Sequence, residues 1–343
     1  MTSESPTRWC VSFLALVGVA VVAIAGINYY VDFYDLFQPE RHAPVRIYSN
    51  ERTGKYLLTM QYVPRNFDGI LVGSSVSDNW PVTAVDGLRI YNTSLSGGNA
   101  SEERLLVENV LRTVPPKLAI ICIHPYLTAT HGRKSAHMVP SDYWGSLGSL
   151  TLLREYIGAF LTRQRHAPPV VDANGLSDFE VGELRDPRIL AMRDRAKADG
   201  ASRPLEVDAA GVEDFATILS DLRQKGVRLV GFIPPTYAPE LQAHSAEYQQ
   251  YFAIIRALFH EDEPVFDFNT PDYRKYTEDA GTFFDGAHLT RPAAVYFSSV
   301  LTRLVSEHLR CVKGGVDTSD YGTYTSCVQS LNTPGRPPGS AKR

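Results

Sequence analysis

Ile70-Leu71-Val72-Gly73-Ser74-Ser75-Val76-Ser77 decides how this chain is read. A short apolar run that ends in a glycine and two serines is a buried strand stopping at a tight turn. If the residues after the turn begin a helix, their unbonded backbone N–H groups face the space beside the serine hydroxyl. Negative charge developing there, as when a hydroxyl attacks an ester carbonyl, is then stabilised. The same residues also suit an ordinary strand-to-helix turn with a capping serine, and nothing within the stretch separates the two readings.

A second stretch, Phe283-Phe284-Asp285-Gly286-Ala287-His288-Leu289-Thr290, precedes the last long helical pattern. Asp285 and His288, three residues apart on a turn, can present a carboxylate and an imidazole to one pocket, the first orienting the second as a base. The Gly-x-Ser turn after the first strand and the Asp-x-x-His before the last helix together resemble the SGNH (GDSL-like) hydrolase superfamily, over residues 65–310. The resemblance implies Ser75 as nucleophile, Asp285 as acid and His288 as base. Asp267 and Asp272 stay open as rival acids, since distance in sequence does not exclude them.

Two further blocks bear on the resemblance. Tyr91-Asn92-Thr93-Ser94-Leu95-Ser96-Gly97-Gly98-Asn99 is similar to the family's second block, which implies an oxyanion N–H from Gly97 or Gly98. The third block of the family places an Asn in a Gly-x-Asn-Asp turn, and here Ile123-His124-Pro125-Tyr126 stands instead. His124 or Asn99 is left to supply that donor. The resemblance also implies a membrane-anchored acyl esterase or O-acyltransferase working on an envelope polysaccharide. The altered third block keeps a second reading open, a catalytically silent domain that binds glycan or anchors an envelope assembly.

The coarse pattern supports an α/β fold without the resemblance. Strands are expected at 69–72, 88–92, 118–123, 227–233 and 265–268, and helices at 101–114, 151–163, 212–225, 246–258 and 292–309. This alternation predicts a three-layer α/β/α sandwich with a five-stranded parallel sheet in the order 2-1-3-4-5. All three blocks then follow carboxyl ends of strands, where sites in such sheets lie. Ser101 is expected to cap the first of these helices and Thr290 the last.

Upstream, Trp9 to Val31 is uncharged, and its apolar heart from Val11 to Ile27 covers about 25 Å as a helix, near the lower limit for crossing a bilayer. Arg8 precedes it and Asp32 and Asp35 follow, which predicts a cytoplasmic N-terminus and an extracytoplasmic domain. Ala23-Ile24-Ala25 also suits signal-peptide cleavage. A single basic residue before the segment, and Tyr29, Tyr30, Phe33 and Tyr34 after it, favour an uncleaved signal-anchor.

The expected organisation is therefore a stub and transmembrane anchor over 1–31, a juxtamembrane linker over 32–64, a catalytic domain over 65–310 with an insertion at about 128–211, and a tail over 311–343. The insertion reads equally as a substrate-facing cap or as extra shell helices. In the tail, Cys311 and Cys327 are disulfide candidates for an oxidising compartment. The net charge of −4 and the lack of a basic patch give no ground for a nucleic-acid partner. His124, His131 and His137 lack metal-ligand spacing, and no metal or cofactor is implied.

Overall fold

The computed structural model describes residues 6–39, 50–162, 171–177 and 205–314. Six strands form one sheet: β1 Gly69–Val72, β2 Ala84–Val85, β3 Leu88–Asn92, β4 Leu118–Cys122, β5 Arg228–Ile233 and β6 Val265–Asp267, in the order β2-β3-β1-β4-β5-β6. All neighbours run parallel except the β2/β3 pair. The strand count is thus six rather than the expected five. The extra strand is a two-residue arm of a hairpin whose turn, Asp86-Gly87, holds both residues at positive φ (47° and 82°). That conformation gives the tight turn between β2 and β3, and Asp-Gly is a sequence that adopts it.

The helices are α1 Pro6–Val31, α2 Glu51–Met60, α3 Tyr62–Asn66, α4 Ser75–Asp78, α5 Ala100–Thr113, α6 Pro125–Thr128, α7 Pro140–Leu147, α8 Leu150–Thr162, α9 Ala209–Gln224, α10 Ala238–Ala243, α11 Ser245–Arg256, α12 Arg274–Thr277 and α13 Arg291–Lys313. Side chains alternate across a strand, so each face of the sheet gathers its own core. Ile70, Val72, Tyr91, Ala119 and Ile121 meet helices α2, α5 and α9 on one face. Leu71, Ile90, Ile120, Cys122 and Phe232 meet Trp80 and helix α13 on the other. On α13 the apolar positions Ala294, Phe297, Leu301 and Val305 recur at helical spacing and are buried.

Three local expectations are corrected. The segment 32–64, read as a linker, contains α2 and α3, and their Tyr56, Leu57, Leu58, Tyr62 and Val63 are core residues. Helix α5 is capped by Asn99, whose side chain accepts from Glu102 N–H at 3.1 Å, and not by Ser101, which lies inside the first turn and bonds Asp214. Helix α13 runs on to Lys313, so Cys311 sits buried within it rather than in a loop beyond it. Cys311 is disulfide-bonded, and its expected partner Cys327 lies outside the described residues. Of the insertion expected at about 128–211, residues 163–170 and 178–204 lie outside the described residues.

Among the described residues one helix, α1, is long and apolar enough to cross a membrane, and its apolar side chains are exposed. Its exit is built tightly. Asn28, fully buried, donates to the carbonyls of Leu147 and Ser149 at 2.7 and 3.0 Å and of Ser146 at 3.3 Å, in the α7–α8 turn. Four residues later the Asp32 carboxylate accepts from the N–H groups of Leu36, Phe37 and Gln38, folding the chain back against the domain.

Candidate active site

Strand β1 delivers the serine turn to the carboxyl edge of the sheet. Gly73 is required there by close approach: a Cβ would collide with Ser77 Oγ and the Cys122 side chain. Ser74 then occupies the N-cap position of α4 with its hydroxyl shut off from solvent, while Ser75, the first helical residue, is half-buried. Of the two adjacent serines, only Ser75 is open to a reacting group. The turn continues the sheet by one bridge, Ser74 to Leu95, which sets the second block beside it.

Helix α4 is a single turn and cannot hold itself in place by its own hydrogen bonds. Its neighbours hold it. Asn92 Nδ2 donates to the carbonyls of Ser77 and Asp78 at 2.8 and 3.2 Å, and Ser77 Oγ pairs with Ser94 Oγ at 2.8 Å. From below, the fully buried Lys55 ammonium on α2 bonds Asp78 Oδ1 at 2.7 Å, Glu51 Oε1 at 3.1 Å and the Ser94 carbonyl. Burial pulls Lys55 toward the neutral form, but the facing Asp78 and Glu51 carboxyls together outweigh it and hold its pKa above the ordinary value. Burial, with Glu51 alongside, leaves the Asp78 carboxyl well above the usual range. Asn92, Lys55 and Glu51 were not singled out from sequence as site residues. The signal for the α2 pair was present in Asn50-Glu51, an N-cap followed by an acidic first turn, since Asn50 accepts from Thr53 N–H at 3.0 Å.

Asp285 and His288 lie side by side on one turn. His288 Nδ1 lies 2.9 and 2.8 Å from the two oxygens of Asp285, and the N–H groups of Ala287 and His288 both donate to Asp285 Oδ1 at 2.8 Å. Burial raises the Asp285 pKa, yet the imidazole and the two N–H groups outweigh it and hold the carboxyl down at about 2. An ionised Asp285 fixes the proton on Nδ1 and leaves Nε2 as the basic atom. Of the other two candidate carboxylates, Asp267 pairs with Arg256, and Asp272 is exposed. The loop is closed by the Phe283–Leu289 bridge and by the Phe284 N–H to His288 carbonyl bond of 2.7 Å. It is joined to the serine turn by Asn79 Nδ2, which donates to the Leu289 carbonyl at 2.8 Å.

His124, at the end of β4, is buried and sits in the electrostatic field of His288 and Asp285. Burial first, and then the His288 charge, push its pKa down to about 3, so it stays neutral at physiological pH. Its Nδ1 accepts from Tyr126 N–H at 3.2 Å, which leaves the ring proton on Nε2 as a donor. In the second block, Gly97 takes φ = 61°, and Gly98 N–H is committed to the Leu95 carbonyl at 2.8 Å. Asn99 is committed as well. Besides capping α5, its Nδ2 donates to Thr130 Oγ1 and the Gly132 carbonyl at 3.2 and 2.9 Å. Of the four residues expected as oxyanion donors, Gly98 and Asn99 thus have their N–H groups engaged elsewhere. Among the described residues no group of His, Cys, Asp and Glu is arranged to hold a metal ion. Compared with protein-family models, curated proteins and solved structures, the chain gives no significant match to any of them.

Proposed function

We propose that the chain is a membrane-anchored, SGNH-like serine enzyme that transfers or hydrolyses acyl groups on an envelope polysaccharide. The observation that supports this most is the Asp285–His288 pair, held on the same rim as Ser75 by the Asn79 to Leu289 hydrogen bond. In this reading Ser75 Oγ attacks the acyl carbonyl and its proton passes to His288 Nε2, while Asp285 stabilises the imidazolium. The oxyanion takes hydrogen bonds from Ser75 N–H, Gly97 N–H and His124 Nε2–H. His288 returns the proton to the departing alkoxide. Water or a sugar hydroxyl then opens the acyl-enzyme by the same steps in reverse, which is all that separates hydrolase from transferase.

The polysaccharide substrate and the extracytoplasmic placement of the domain come from the resemblance and from α1. The test is turnover of a small activated acetyl ester by the full chain in detergent. Wild type is expected to exceed buffer, and Ser75→Ala and His288→Ala are expected to match it. The replacement of the family's Asn by His124 favours one other reading, a glycan-binding domain without turnover. That reading predicts buffer-level rates from folded wild-type protein at every acyl length, with sugar acceptors present.

A further inference from the structure

We infer that α7 and α8 form an in-plane membrane foot, seated in the headgroup and upper acyl region of the bilayer beside α1. Helix α8 has two apolar faces. Leu152 and Tyr156 are buried against the domain, whereas Leu150, Ile157, Phe160 and Leu161 project outward, Phe160 at 84% exposure. On a 3.6-residue helix these four fall within one sector, and Arg154 falls within it as well. Trp144, one turn before the end of α7, is 68% exposed on the helix that leads into α8. An apolar stripe carrying one Arg and flanked by a Trp is the composition of a helix lying at a membrane interface.

The height of this stripe is set by α1. From Trp9 to Asn28 the helix rises about 29 Å, close to the thickness of the hydrocarbon core of a bilayer, about 30 Å. If Trp9 marks one boundary, Asn28 marks the other, and Asn28 is the residue whose amide binds the Ser146, Leu147 and Ser149 carbonyls. The α7–α8 turn is thereby fixed at the outer boundary, and Leu150 begins one residue after it. The polar side of the foot is tied to the domain, since Tyr34 Oη donates to Glu155 at 2.7 Å and the Tyr34 and Tyr156 rings stack at 6.0 Å. Lipid is the occupant because α7 and α8 pack beside α1, the one described helix long and apolar enough to cross a bilayer, whose own apolar side chains are exposed, and Arg154 would meet phosphate at that depth. The domain then stands on two supports and cannot swivel about a single helix.

This inference rests on α1 as an anchor, and the three tryptophans separate the two claims. Trp80 is fully buried in the core and gives a constant background. The full chain is reconstituted in vesicles of phosphatidylcholine with a minority of phosphatidylglycerol, carrying nitroxide lipids labelled near the headgroup or near the chain end. Trp9→Phe leaves Trp144 as reporter, and Trp144→Phe leaves Trp9. The Trp144 reporter is expected to lose emission to the shallow label more than to the deep one, to resist aqueous iodide, and to lose both properties in an Ile157→Asp/Phe160→Asp background while Trp9 stays quenched. Trp9 quenched by lipid label with Trp144 quenched only by iodide overturns the foot and leaves the anchor. Neither reporter quenched by lipid overturns both. Trp144 shielded from iodide and lipid label alike shows a protein partner, such as a second copy, on the stripe, and also overturns the foot.

Discussion

The Asn79 amide donates to the Leu289 carbonyl at 2.8 Å, bridging the end of α4 and the backbone next to His288 across 210 positions of sequence. The bond ties the serine turn directly to the histidine loop, beside the packing of Trp80, Phe283 and Leu289 in one core. Asn79→Ala should therefore cost only about 1 kcal/mol of stability, the worth of one hydrogen bond. Acyl turnover should fall more, by about tenfold to a hundredfold, because small misplacements of reacting groups are costly. Urea unfolding and ester kinetics on one preparation check this, and unchanged turnover would show that Asn79 does not set the alignment.

Lys55 makes a sharper prediction about stability. It is fully buried and faces Asp78 and Glu51, so Lys55→Met strands carboxyls in the interior, at about 3–5 kcal/mol. Pairing it with Asp78→Asn should recover part of that loss in denaturant titrations. A single variant as stable as wild type would mean that this cluster does not support α4.

Acid should destabilise the fold in two stages. The folded pKa of His124 is about 3, below its unfolded value, so the unfolded chain binds the extra proton between the two. His124 therefore contributes stability above about pH 6.5, lost as pH falls toward 3. Asp285, also depressed, to about 2, contributes stability above its ordinary value of about 3.8 that is lost only as pH falls through 2. His124→Asn should flatten the first stage and Asp285→Asn the second, as read from unfolding midpoints against pH. Identical slopes in wild type and His124→Asn would contradict a neutral, buried His124.

The triad makes a prediction about non-additivity. Ser75→Ala and His288→Ala should each lower acyl turnover by several orders of magnitude, and the double variant should be little worse than either. Asp285→Asn should cost less, since it acts through orientation of the ring and stabilisation of its charge. Single-turnover kinetics on the four proteins check this, and additive losses would mean that the residues act separately.

The readable parts of the sequence were those in which local pattern and tertiary structure agree. The apolar runs of β1, β3, β4 and β5 and the stripe of α13 carry their own periodicity, so their positions and the parallel order followed from sequence. The Asp285–His288 pair was legible because three residues on one turn fix its geometry. What stayed hidden depended on distant partners. Strand β2 is too short for a periodic signal, and its Asp86-Gly87 turn carried the only local clue. The α2 segment looked like a linker because its polar Lys55 points inward, where it pairs with Asp78 on α4 and with Glu51 on its own helix. Asn99 resembled an oxyanion donor by position, but capping α5 and holding the 130–132 loop use its whole amide. Asn92 and Asn99 both match a glycosylation pattern, yet both are buried and hydrogen-bonded.

The most direct test of the central claim, that Ser75 is an activated nucleophile, is labelling of the full chain with a serine-directed phosphonate followed by peptide mapping. The label is expected on Ser75 in wild type and absent in His288→Ala, with Asn79→Ala labelled more slowly. Attachment at Ser74 or Ser77, or active protein that takes up no label, would contradict it.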